Sequence, residues 1–106
     1  MNFEEFDWDE AKRLSNLENH EIDFAGVPPI FDSPCVIRED KRRDYGEIRM
    51  IVLGELRGEI CYVVYTVREE TCRLISARRA NERERKKYRE IIAAEKKLPP
   101  ADEKRL

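Results

Sequence analysis

The sequence predicts an α+β fold: N-terminal helices, a four-stranded antiparallel sheet arranged as a meander, and a C-terminal helix. Two observations carry this prediction. Apolar residues recur at helical spacing near both ends of the chain, and in short alternating or continuous runs between them. The runs are joined by connections shorter than the dozen or so residues a parallel crossover needs, so consecutive strands must run antiparallel. Helices then have one apolar sheet to cover.

The first helix occupies residues 7–20. Asp7 stands as N-cap with Glu10 three residues on, the spacing at which two side chains satisfy orphan backbone N–H groups. Ala11, Leu14 and Leu17 form its apolar stripe, Trp8 anchors its start in the core, and Asn19 and His20 end it. After Asp23 the sequence AGVPP restricts any second helix to a short one beginning near Val27, because proline fits only a first turn. The period changes at residue 34: strands are expected over 34–40, 49–56, 59–67 and 72–76. Arg57-Gly58 makes a hairpin tip and residues 68–71 make the next turn. ICYVVYTV at 60–67 is apolar at nearly every position, which predicts a central strand covered on both faces. The last helix starts at Asn81, again with a glutamate, Glu84, at capping-box spacing. Pro99 and Pro100 stop it, so the expected domain is 1–97 with 98–106 as a loose tail.

Charged residues make up 42% of the 106 residues, yet the apolar ones are bunched, so a folded domain with a heavily charged surface is expected rather than disorder. The net charge of −2 names no polyanionic partner. Its distribution is more informative: residues 1–48 hold thirteen acidic and six basic residues, whereas residues 78–89 hold seven basic and two acidic. Cys35, Cys61 and Cys72 show no C-x-x-C spacing and lie in apolar segments, as buried reduced thiols do in a cytosolic protein. The N-terminus MNFEEFDWDE is acidic and has no apolar h-region, and no apolar run approaches the ~20 residues of a membrane span. A cytoplasmic protein is expected.

The chain has no P-loop, dinucleotide fingerprint, nucleophile elbow or HExxH motif. One histidine and scattered cysteines supply no zinc-ligand pattern, so neither metal nor cofactor is expected. Cationic and hydroxyl side chains remain, a set suited to phosphate chemistry. RNA cleavage needs a base for the 2′-hydroxyl proton, cations for the charge that develops on phosphorus, and an acid for the leaving 5′-oxygen.

FDWDEAKRLSNLENHEIDF, DYGEIRMIVLG, VVYTVRE and RLISARRANERERKKY, in this order and spacing, resemble the BrnT family of bacterial toxins. The shared pattern is W-D-x-x-K-x-x-x-N, H, Y-G-E-x-R, Y-T-x-R and I-S-A-R-x-A, running from Phe3 to Tyr88. The matching positions are Trp8, Asp9, Lys12, Asn16 and His20, then Tyr45, Gly46, Glu47 and Arg49. Tyr65, Thr66 and Arg68 follow, then Ser76, Ala77, Arg78 and Ala80, with Glu84 and Arg85 beyond. One departure is the GVPP segment, where family members read as an uninterrupted second helix.

The resemblance implies a RelE-like ribonuclease toxin that cuts RNA without metal and inhibits translation. It also implies a hetero-oligomeric complex with a BrnA-like DNA-binding antitoxin, and contact with DNA only through that antitoxin. On residue chemistry together with the resemblance, His20, Lys12, Arg49, Arg68 and Arg78 are the candidate catalytic residues. Tyr65, Ser76 and Arg79 are the candidate substrate-binding residues. His20 is the only imidazole and the natural proton-transfer group; the arginines offer planar forks for phosphate. Each has a plainer reading: a helix-end histidine, surface ion pairs, a core tyrosine, a solvated basic helix. A different class of function also fits, a non-catalytic interaction module acting as corepressor of its operon.

Overall fold

The structure is a computed structural model and describes residues 3–97. Five strands, β1 (Glu5–Trp8), β2 (Val36–Glu39), β3 (Met50–Leu56), β4 (Glu59–Arg68) and β5 (Thr71–Arg79), form one sheet in the order β1-β5-β4-β3-β2. Helix α1 (Glu10–His20) follows β1, and α2 (Glu82–Lys97) follows β5. Two 3-10 turns, Phe24–Gly26 and Pro28–Asp32, lie between α1 and β2. The expected tail at 98–106 lies outside the described residues.

The meander β2 to β5 is antiparallel throughout, and β4 is its middle strand with residues 61–66 all buried. Both tight turns work by left-handed backbone, at Arg57 and Gly58 (φ 51° and 81°) and at Glu69 (φ 57°). The fourfold sheet expected from the sequence gains a fifth strand, because β1 pairs parallel with β5 from Glu5–Thr71 to Trp8–Leu74. That strand is short and acidic, which hid it. Only Phe3, Phe6 and Trp8 pack on the core, and Phe3 sets its ring edge-on to Phe31 and Tyr65.

The start of α1 moves accordingly. Asp7 is in β1 and pairs with Arg73 at 3.3 Å, so Asp9 is the N-cap and accepts from the Lys12 amide at 3.1 Å. Glu10 turns outward to Arg13 and to the Trp8 indole N–H. The expected second helix becomes two 3-10 turns, since adjacent prolines cannot supply the N–H groups of a longer one. These turns nevertheless bury Phe24, Val27 and Ile30 completely. They approach β3 closely at Gly54, where a Cβ would lie 2.7 Å from Ile30 Cγ1.

The sheet therefore has two covered faces. Val52, Cys61, Val63, Tyr65 and Leu74 face the 3-10 turns and the N-terminal aromatics. Ile51, Leu53, Tyr62 and Val64 face the side of α2, where Tyr88 and Ile92 dock. Cys61 and Cys72 are buried free thiols and Cys35 is half-buried; burial pushes the Cys72 thiol up to about 12. Helix α2 begins with the reciprocal box the sequence predicts: Glu84 N–H donates to Asn81 Oδ1 at 2.8 Å, and Asn81 N–H to Glu84 Oε1 at 2.9 Å. Its Tyr88 hydroxyl donates to the Pro34 carbonyl at 2.7 Å, tying the helix to the entrance of β2.

Candidate functional site

Alternation along the strands sorts the cationic side chains. Cross-strand partners share a face, and the register links Val36, Leu53, Tyr62 and Arg78 in one row across the sheet. The next row is Arg38, Ile51, Val64 and Ser76. Beyond it lie Thr66 and Arg73, then Arg68. The α2-facing side thus gathers arginines from three strands above an apolar floor.

Arg78 has the most defined setting. Its guanidinium stacks 4.0 Å above the centre of the Tyr62 ring, and its two terminal nitrogens reach Glu84 at 2.7 and 2.9 Å. This is a two-pronged clasp of the kind a phosphate also makes. The pair lowers the Glu84 carboxyl below its usual range and raises the guanidinium above its own. Arg38 adds its charge to the same carboxylate. A groove of about 720 Å³ runs here between the sheet and α2, with Arg38, Tyr62, Arg83 and Lys87 among its walls.

The loop from β2 to β3, residues 40–49, closes the other end of this face. Arg42 bonds the buried Asp40 through Nε and Nη2, both at 2.8 Å, and its charge reaches Arg78. Arg49 lies 4.2 Å over the Tyr45 ring, with Arg43 at 5.1 Å. Arg49 and Arg68 both approach Glu47, at 3.6 and 3.1 Å. Arg49 Nε is buried and has no hydrogen-bond partner among the described residues.

Helix α1 flanks the free edge of β5. Its buried Asn16 accepts from the Ala77 amide at 3.0 Å and donates to the Ile22 carbonyl at 2.9 Å, taking the place of a strand beyond β1. Lys12, His20 and Ser76 line one shallow depression along that seam, together with Ile75. Lys12 and His20 are exposed. Ser76 joins the two regions, because Arg78 follows it by two on the same face, about 7 Å along the strand.

The predicted residues therefore divide. Arg78 and Ser76 sit side by side, Lys12 and His20 border Ser76, and Arg49 and Arg68 meet at Glu47 on the far side of the face. Tyr65 and Arg79 are not with them. Tyr65 is fully buried on the opposite face against Phe3 and Phe31, with its hydroxyl pushed up to about 12 by burial. Arg79 also points to that opposite face, where it pairs with Glu59 and donates to the His20 carbonyl at 3.1 Å. Sequence reasoning overlooked Arg38, Arg42 and Tyr62. Period-two alternation in 36–38 and 60–66 was the available signal, but nothing local placed the 40–49 loop over the sheet.

Several matching positions of the sequence motif prove architectural. Gly46 takes φ 75°, Thr66 donates to the Ile48 carbonyl at 2.7 Å, and Ala77 and Ala80 are buried where larger side chains would not fit. Among the described residues no helix is long and apolar enough to cross a membrane.

These features define a small α+β protein with arginines from three strands gathered on one face of its sheet. The chain matches, over residues 8–84, the family described as "Ribonuclease toxin, BrnT, of type II toxin-antitoxin system", and it belongs to that family. Membership makes it a ribonuclease toxin of a type II system, a class with an RNA target and an antitoxin protein as partner. A search of curated proteins finds no match.

Proposed function

We propose that this toxin cleaves RNA on the α2-facing side of the sheet without a metal ion, and thereby stops translation in the cytoplasm. The observation that carries the proposal is the Arg78 fork, stacked on Tyr62 and flanked by Ser76, Arg38 and Arg42. A phosphate diester seated there meets planar donors for its non-bridging oxygens. The 2′-oxygen loses its proton and attacks the adjacent phosphorus. The bond from phosphorus to the 5′-oxygen breaks, and that oxygen takes up a proton, leaving a cyclic phosphate. His20, at the rim beside Ser76, moves a proton, and Lys12 supports the phosphorane charge together with the arginines. Arg49 and Arg68 extend the cationic track for the strand.

Neutralisation is assigned to a BrnA-like antitoxin that binds DNA and holds the toxin in a hetero-oligomeric complex, so that the toxin meets DNA only through it. The test is purified toxin incubated with bulk RNA in EDTA, beside alanine variants of Lys12, His20, Arg49, Arg68 and Arg78. Fragments from the wild type, and their loss in variants that keep the wild-type circular-dichroism spectrum, are expected. Intact RNA at high toxin concentration, with or without ribosomes, would overturn the proposal and leave the corepressor role in its place.

A further inference from the structure

We infer that Asp40 is the positioning residue of the RNA-binding face, holding the arginines of the 40–49 loop in the orientation that receives phosphate; this rests on the reading of that face as the RNA site. Asp40 is the one acidic residue among the buried described residues, with its side chain 1% exposed while its partner Arg42 is 61% exposed. A buried carboxylate is costly unless every lone pair is used. Here four donors use them: the Arg42 amide at 3.1 Å, Arg42 Nε and Nη2 at 2.8 Å each, and the Tyr45 hydroxyl at 3.0 Å. The Asp40 amide meanwhile donates to the Arg49 carbonyl at 2.8 Å, closing the base of the loop.

Through these bonds one carboxylate orients three guanidinium groups. Arg42 is held directly, near enough to Arg78 for the two charges to interact. Arg43 and Arg49 are held through Tyr45, whose ring both of them stack on and whose hydroxyl is pinned by Asp40. Long arginine side chains lose substantial rotamer freedom on binding, so a loop that has already ordered them binds phosphate more tightly than a free one. An acidic residue beside an RNA site would by charge alone repel the ligand. Its burial, with Arg42 clasping it and the Tyr45 hydroxyl bonded to it, fits an organising role.

The test uses the full chain and a fluorescein-labelled 2′-O-methyl RNA oligonucleotide, which binds without being cut. Asp40→Asn is isosteric and removes a negative charge, so on net charge alone it should tighten binding. The positioning role predicts the opposite: binding about tenfold weaker, with the slope of log K against log salt shallower by about 0.7 to 1.4, one or two phosphate contacts on a single strand. Tyr45→Phe, which frees only the Arg43 and Arg49 limb, should lose part of this. Arg42→Lys keeps the charge and loses the fork, and should also weaken binding even if Asp40→Asn does not fold. Cleavage kinetics should show the change in KM, with kcat nearly unmoved. Unchanged or tighter binding by Asp40→Asn, or by both of the other variants, would overturn the inference. Arg78→Ala separates the two levels: if it weakens binding while Asp40→Asn does not, Asp40 alone is misread. If neither variant changes binding, the RNA face itself is misplaced.

Discussion

On the proposed reading of the site, Glu84 occupies the group that the substrate needs. Both of its carboxylate oxygens clasp the Arg78 fork, at 2.7 and 2.9 Å, in the geometry expected of a phosphate. RNA bound as proposed would have to displace Glu84 or share Arg78 with it. The two side chains are 34% and 21% exposed, so solvent screens the pair and its net worth is about 1 kcal/mol, between an open surface pair and a buried charged hydrogen bond. Glu84→Gln keeps an oxygen for the Asn81 amide and the shape of the cap while removing the competing charge. The arginine it releases should bind RNA about fivefold more tightly, the equivalent of that ~1 kcal/mol. The same loss should lower the melting temperature by about 4–8 °C, the shift expected of a domain of this size. Fluorescence anisotropy with an uncleavable RNA and thermal unfolding by circular dichroism measure the two effects, and Arg78→Ala/Glu84→Gln should show no gain in affinity. Unchanged or weaker binding by Glu84→Gln would refute the reasoning, as would a fall in kcat at constant KM, which would put Glu84 in the chemistry.

Three further outcomes follow from the packing. Gly54→Ala forces a methyl against Ile30 Cγ1 and the Ile30 carbonyl, at 2.7 and 3.3 Å, and should destabilise the protein by about 1–3 kcal/mol in urea unfolding. Asn16→Ala leaves the Ala77 amide and Ile22 carbonyl without their partner, and a loss of about 1–3 kcal/mol is expected by the same measurement. Asp40, held well below the usual carboxylate range chiefly by the Arg42 side chain, gives a pH signature. Its folded pKa is depressed, so its contribution is complete above the unfolded value of about 4 and is lost as pH falls toward the folded one. Asp40→Asn should thus be less stable than wild type at pH 7 but show a flatter decline below about pH 4, read from urea midpoints across that range.

Much of the fold was legible because its signals are local. The Asn81–Glu84 box, the Arg57-Gly58 tip and the unbroken apolar run of β4 each declare themselves within a few residues. β1 was not legible, since the alternation of Glu5, Phe6, Asp7 and Trp8 lasts only four residues and Asp7 stood at capping distance from Glu10, which assigned the segment to the helix start. The GVPP segment read as an interruption of a helix; with Val27 buried and Ile30 just after it packed on Gly54, it belongs to the cover of one sheet face.

The candidate site divides along the same line. Residue chemistry and family resemblance together pointed to Lys12, His20, Ser76 and Arg78, and the structure sets the first three around one depression with Arg78 next along the strand. Tyr65 and Arg79 were named with them as substrate-binding candidates, and Tyr65 carried the plainer reading of a core ring. In a strand, adjacent side chains point to opposite faces, and one step along the chain carries Tyr65 into the core and Arg79 to the other side. By itself the sequence determined the residue types, the cap of α2, the turns and the antiparallel meander, all of which are set over short stretches. Only the tertiary structure decided which arginines share a face, that Glu84 fills the Arg78 fork, and that Asp40 holds the loop above them. Those contacts join residues whose proximity depends on strand register and on the path of a loop back across the sheet.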